Sequence, residues 1–136
     1  MRWHDQAVRT VVAEHGGEEV KATGDGFFLA FDDADRAIEA MIALQRRLAE
    51  QRETQGFAPA IRVGIHTAEA TRAAGDYSGM GVNLAARIGA AAAGSEILVS
   101  RETLDTTRRT FIASDARELE LKGVSGTTAV AAVAWR

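Results

Sequence analysis

The sequence predicts an α+β fold, a two-layer ferredoxin-like sheet with helices on one face and a C-terminal hairpin. Three observations carry this. Apolar residues recur with period two and period 3.6 by turns along the chain. Hairpins fall at the second and the last positions of that alternation, which is the ordering of a split strand-helix sheet. The strand of the first hairpin, Phe27-Phe28-Leu29-Ala30-Phe31, is apolar on both faces, so helices cover one side and something else the other.

A chain of 136 residues is expected to form one domain, residues 1–136, with a single core. A formal net charge of −3 gives no reason to expect nucleic acid as partner. No apolar run reaches membrane-spanning length, and Met1-Arg2-Trp3-His4-Asp5 is not the opening of a signal peptide. Cysteine is absent, which rules out disulfides and thiolate metal sites and fits the cytoplasm, or the cytosolic part of a longer protein.

The first element is a helix over Asp5 to His15, with Ala7, Val8, Val11 and Val12 at helical spacing and Gly16-Gly17 as its stop. No capping residue precedes it, so the chain is expected to begin inside an element. Glu19 to Ala22 and Phe27 to Phe31 then form a hairpin about a tight Gly24-Asp25-Gly26 turn. Asp32-Asp33 caps a long helix whose buried stripe is Ala34, Ala37, Ile38, Met41, Leu44 and Leu48. Arg46, Arg47 and Glu50 to Glu53 read as its solvated face.

Ile61 to His66 alternates as a strand, Thr71 to Gly81 reads as a loop, and a small-residue helix spans about Val82 to Ala93. Its core stripe is expected at Leu84, Ile88 and Ala91. Ile97 to Val99 is a short strand, Arg101 to Thr107 a brief helix, and Phe111 to Ala113 another strand. Leu119 to Val124 with Ala129 to Trp135 closes the chain as a hairpin. Phe28 falls on a sheet face that the helices leave bare, and a second copy of the chain is the commonest cover for such a face.

Few residues invite chemistry singly. Asp25 stands at a turn where a metal or phosphate could approach, although Asp-Gly also simply makes a good turn. Lys21 is equally readable as an edge-strand charge. Asn83 and Arg87, four apart on one helix face after a glycine-rich loop, suit phosphate and ribose, or merely solvent. Asp76 lies in the preceding loop, where aspartates serve turns. His66 reads as a core or edge histidine, and no second histidine stands at zinc-ligand spacing. There is neither an activated-serine motif nor a Walker-type loop.

In combination the blocks say more. Val20-Lys21-Ala22-Thr23-Gly24-Asp25-Gly26-Phe27, Arg62-Val63-Gly64-Ile65-His66-Thr67, Asp76-Tyr77-Ser78-Gly79 with Val82-Asn83-Leu84-Ala85-Ala86-Arg87-Ile88, and Leu121-Lys122-Gly123-Val124 resemble, in order and spacing, the class III adenylate/guanylate cyclase catalytic domain. The resemblance covers essentially the whole chain. It implies a site between two domains arranged head to tail, as a homodimer or with a second cyclase domain. It implies two divalent cations, Mg or Mn, with Asp25 as one metal aspartate. Lys21 and Asp76 match the pair that selects the purine. Asn83 and Arg87 match the pair that orients the ribose and meets the transition state, and Lys122 matches a lysine on the triphosphate.

The implied substrate is ATP. Adenine offers an acceptor at N1 and a donor at its amino group, to which a lysine can give and from which a carboxylate can accept. Guanine reverses that pattern, and the guanylate-forming relatives carry glutamate in place of this lysine. The reaction so implied is attack of the ribose 3′-oxygen on the α-phosphorus, giving 3′,5′-cyclic AMP and pyrophosphate for intracellular signalling.

The resemblance has one departure. The family's domain starts earlier, with a strand bearing the other metal aspartate, so the expectation is a nucleotidyl cyclase fold lacking its first strand, N-terminally incomplete. Asp5 does not fill the role, since it lies on the helix just ahead of Ala7 and Val8. The alternative expectation is a non-catalytic cyclase-like module that binds nucleotide or pairs with a complete cyclase domain. A diguanylate cyclase is set aside, because Gly26 stands where that family's second turn acid belongs.

Overall fold

The computed structural model describes residues 2–22, 27–56, 60–67, 71–73, 76–78 and 80–136, with the backbone only for 2–4, 21–22, 71–73, 76–78 and 80–82. It comprises two compact units, Met1–Ile61 with Trp135–Arg136, and Arg62–Ala134.

In the first unit, α1 (Arg2–Glu14) buries Ala7, Val8, Val11 and Val12, the stripe its spacing predicts. It ends by a Schellman arrangement. Gly16 takes φ +72°, the Gly17 amide reaches back 2.9 Å to the Val12 carbonyl, and His15 Nδ1 donates to the Val11 carbonyl at 2.8 Å. Helix α1 packs on α2 (Ala34–Gln55). Asp33 caps α2 by accepting the Asp35 amide at 2.7 Å, and Gly56 closes it at φ +76° with its amide on the Arg52 carbonyl. Ala37, Ile38, Met41, Leu44 and Leu48 are buried as expected, with Ala40, Gln45 and Ala49 beside them, while Ala34 is half-buried.

Between these helices in sequence, β1 (Glu18–Ala22) and β2 (Phe27–Ala30) pair antiparallel. Glu19 faces Leu29 but Lys21 faces Phe28, so the ladder slips at Val20. Such a bulge sharpens the twist just before Lys21. All four residues of β2 are half-buried. The Gly24-Asp25-Gly26 turn expected between the strands lies outside the described residues.

The second unit is built on a four-stranded sheet of β3 (Val63–Ile65), β6 (Ile97–Ser100), β7 (Arg117–Glu120) and β8 (Thr127–Ala132), in the order β3-β6-β8-β7. Strands β3 and β6 are parallel and the other pairs antiparallel. All four residues of β6 are buried, as befits a central strand. Helix α3 (Met80–Ala91) covers the sheet, with Ile88 and Ala92 set against Leu98, Leu121 and Val130, and Leu84 packed at the edge. A short α4 (Arg101–Leu104) follows β6 directly.

Three sequence expectations are corrected here. The Thr71–Gly81 stretch is not a plain loop: β4 (Thr71–Ala73) and β5 (Asp76–Ser78) form a small hairpin. Phe111 to Ala113 is not a strand but a single bridge from Ala113 to Val133. Ile112 is 78% exposed, and a segment that buries so little has no reason to extend its pairing. At the end of α3 the buried position is Ala92, just past the helix, and not Ala91, which is exposed. Counting in fours from Leu84 and Ile88 keeps the stripe on the sheet, whereas the three-step to Ala91 turns it toward solvent.

Candidate active site

Helix α3 carries three stripes, each with a different neighbour. Leu84, Ile88 and Ala92 enter the core. Ala85 and Gly89 lie against Gly64 of β3. Asn83 and Arg87, about 200° round the helix from the glycine stripe, are exposed. The core and glycine stripes fix the helix's roll, and that roll presents Asn83 and Arg87 together.

The turn between β7 and β8 comes up beside them. Leu121 is buried in the α3 cluster, so the next residues, Lys122 and Gly123, are held close to the helix. Gly123 has φ +78°, and a Cβ there would stand 3.7 Å from Arg87 Nη2. The Arg87 guanidinium thus lies over the turn that bears the exposed Lys122. Among the described residues neither cation is in a salt bridge. Two unpaired cations and an amide, gathered on one edge, suit a polyanion that also offers hydroxyls.

The other sequence-predicted residues are placed in part. Asp76 opens β5, opposite Ala73 in the ladder, four residues before α3 begins. Lys21 lies in β1 opposite Phe28. Side-chain positions at Lys21 and Asp76, and Asp25 altogether, lie outside the described residues. Of the six predicted site residues, Asn83, Arg87 and Lys122 are therefore brought together. Among the described residues no group of three His, Asp or Glu could hold a metal ion. A carboxylate such as that of Asp25 is the hard oxygen ligand that Mg²⁺ and Mn²⁺ take.

One polar cluster went unseen in the sequence. His66, half-buried just past β3, has Nδ1 2.7 Å from Ser100 Oγ. Ser100 Oγ is 2.7 Å from Thr103 Oγ1 and accepts the Thr103 amide at 3.2 Å. Thr103 Oγ1 in turn accepts the Thr67 amide at 2.6 Å. Burial pushes His66 below the ordinary imidazole range, and Glu102 opposes this in smaller measure. The Ser100-x-x-Thr103 spacing across a helix start was the only local signal.

The chain matches a model of the adenylate and guanylate cyclase catalytic domain over residues 2–132. It is 37% identical over 100 residues to an adenylate cyclase of Streptomyces coelicolor, a match covering 74% of this chain and 25% of that protein. It spans well under a third of the curated relatives it matches first, 17% of one and 25% of the next. Among solved structures it superposes on an adenylate/guanylate cyclase/hydrolase from Silicibacter pomeroyi with a TM-score of 0.84 and 26% identity, covering 96% of this chain and 80% of that one. It also superposes on the adenylyl cyclase CyaB from P. aeruginosa with a TM-score of 0.78 and 26% identity, covering 98% of this chain and 79% of the other.

Proposed function

The chain belongs to the adenylate and guanylate cyclase catalytic domain family, and we propose that within it the protein is an adenylate cyclase, forming 3′,5′-cyclic AMP and pyrophosphate from ATP. The observation that carries this is the meeting of Arg87 with the Lys122-Gly123 turn, one helical turn from Asn83. A triphosphate brings the charge these cations lack, and the ribose brings hydroxyls for Asn83.

Each residue has a task in that reading. Lys122 binds the triphosphate. Asn83 orients the ribose so that its 3′-oxygen faces the α-phosphorus, which converts a random encounter into a positioned one. Arg87 meets the negative charge that grows on the α-phosphoryl oxygens as the new bond forms and pyrophosphate leaves. Lys21 gives a hydrogen bond to adenine N1 and Asp76 accepts one from the amino group. Asp25 would hold divalent metal, Mg²⁺ or Mn²⁺, which when bound neutralises phosphate charge and lowers the pKa of a coordinated hydroxyl. Lys21 and Asp25 stand four residues apart in the sequence yet serve different tasks, which favours a site shared head to tail between two domains, in a homodimer or with a second cyclase domain. No helix among the described residues is long and apolar enough to cross a membrane.

The test is cyclic AMP formation from Mn-ATP by the chain mixed with a second cyclase domain whose own matching arginine is replaced by alanine. Only this chain can then supply the arginine. Product that disappears with Arg87→Ala supports the reading; product formed equally well by Arg87→Ala overturns it.

A further inference from the structure

The cluster of His66, Ser100, Thr103 and Thr67 has no part in the chemistry above, and its protons can be counted. Ser100 Oγ accepts the Thr103 amide, and Thr103 Oγ1 accepts the Thr67 amide. One proton lies between the two hydroxyl oxygens and one between Ser100 Oγ and His66 Nδ1.

If His66 Nδ1 carries its proton, Ser100 accepts it and must give its own hydroxyl proton to Thr103. The Thr103 hydroxyl proton is then left with no acceptor among the described residues, in a side chain that is 0% exposed. If Nδ1 is bare, Thr103 gives to Ser100 and Ser100 gives to Nδ1. Both hydroxyl protons and the Nδ1 lone pair are then used, and a buried polar network favours the state that pairs its buried members. The geometry therefore selects the neutral ring with its proton on Nε2.

We propose that His66, Ser100 and Thr103 form a proton-sensitive latch that holds the Thr67 amide, and with it the start of the segment leading to the β4–β5 hairpin. A proton gained at Nδ1 forces the Ser100 hydroxyl to turn toward Thr103, strands the Thr103 proton, and loosens the hold on Thr67. Ser100 ends β6, which has no titratable side chain, and Thr103 belongs to α4. Arg101 of α4 pairs with the C-cap residue Asp105 at 3.2 Å, leaving Glu102 as the charge that acts on His66. His66 is thus a positioning residue. That it positions a purine-reading residue rests on the role proposed above for Asp76; the latch itself does not.

Nitrogen-15 NMR of the histidine rings in the full chain tests the latch without any nucleotide. Above about pH 7, His66 Nδ1 should give the signal of an unprotonated ring nitrogen, in contrast to His15, whose Nδ1 donates to Val11. The protection factor of the Thr67 amide should fall at least about fivefold as pH drops through the His66 midpoint. In Ser100→Ala, which removes the donor to Nδ1, the midpoint should rise by about 1 pH unit, and Ser100→Thr should restore it. An Nδ1-protonated tautomer at neutral pH, or a Thr67 protection factor indifferent to the His66 titration, overturns the proposal. Both of those readouts come from the unsubstituted protein, so they stand even where Ser100→Ala does not fold.

Discussion

Gly64 of β3 and Gly89 of α3 meet backbone to backbone. A Cβ built on Gly64 would lie 2.1 Å from Gly89 N and 2.7 Å from the Ala85 carbonyl oxygen. The converse contact is looser, since a Cβ on Gly89 would stand 3.3 Å from Gly64 N. The two glycines are therefore not equivalent, although both belong to one contact.

That asymmetry gives the first prediction. Gly64→Ala has nowhere to put its methyl except into helix backbone, so α3 must move; the cost should reach the upper end of the overpacking range, about 3 kcal/mol. Gly89→Ala gains roughly 1 kcal/mol of helix propensity against a tight but yielding contact, and should come out near neutral. Urea midpoints for the two variants at unchanged m-value measure this. Equal losses would show that the helix does not rest on β3 as described.

Arg87 is exposed and its neighbour on the turn is a glycine, so removing it should leave stability within about 0.5 kcal/mol. Turnover of ATP should nevertheless fall by roughly 10²- to 10³-fold in Arg87→Ala, the usual cost of a lost transition-state donor. Arg87→Lys should recover only part, because an ammonium cannot present two parallel N–H groups. KM for ATP should change little in either. A raised KM with unchanged kcat would move Arg87 from the reacting phosphoryl group to ground-state binding.

In the proposed site, Lys21 and Asp76 are the pair assigned the choice of base. Lys21→Glu reverses the hydrogen-bonding sense toward adenine N1 and sets an acceptor against an acceptor. It should lower kcat/KM for ATP by roughly 10²-fold or more, since a polar group left unpaired discriminates strongly. Pairing it with Asp76→Ser, which can donate to the guanine carbonyl, should raise cyclic GMP formation from GTP. A double variant that keeps its preference for ATP would remove both residues from base recognition.

What the sequence revealed depended on whether a signal was local. Val8, Val11 and Val12 on α1, and Ile38 to Leu48 on α2, announce their faces by spacing alone. Asn83 and Arg87 share a stripe by the same arithmetic. The meeting of Arg87 with Gly123 joins residues 36 apart in the chain, and no local pattern announces it. Tyr77 and its neighbours looked like a loop because glycine and aspartate dominate the stretch, yet β4 and β5 pair through backbone groups that composition does not report. Phe111 and Ile112 misled in the opposite direction: apolar, β-prone and still largely unpaired. The hydroxyls facing His66 lie 34 residues on at Ser100, a distance at which no periodicity speaks.

His66 also fixes the sign of one pH dependence. Its folded-state value is depressed, chiefly by burial, while the unfolded ring titrates near the ordinary value of about 6.5. Between those two values the unfolded chain binds more protons than the folded one, so stability rises with pH across that interval. The contribution is complete above about pH 6.5 and is lost as pH falls through the lower, folded value. Other groups contribute to the same curve, so the quantity to follow is the difference between the protein and His66→Asn. Asparagine can keep an acceptor toward Ser100 and does not titrate. The variant should lose stability less steeply than the protein as pH falls below about 6.5. Parallel curves for the two, from urea midpoints taken at each pH, would mean that the imidazole in this cluster is as free to take a proton as one in water.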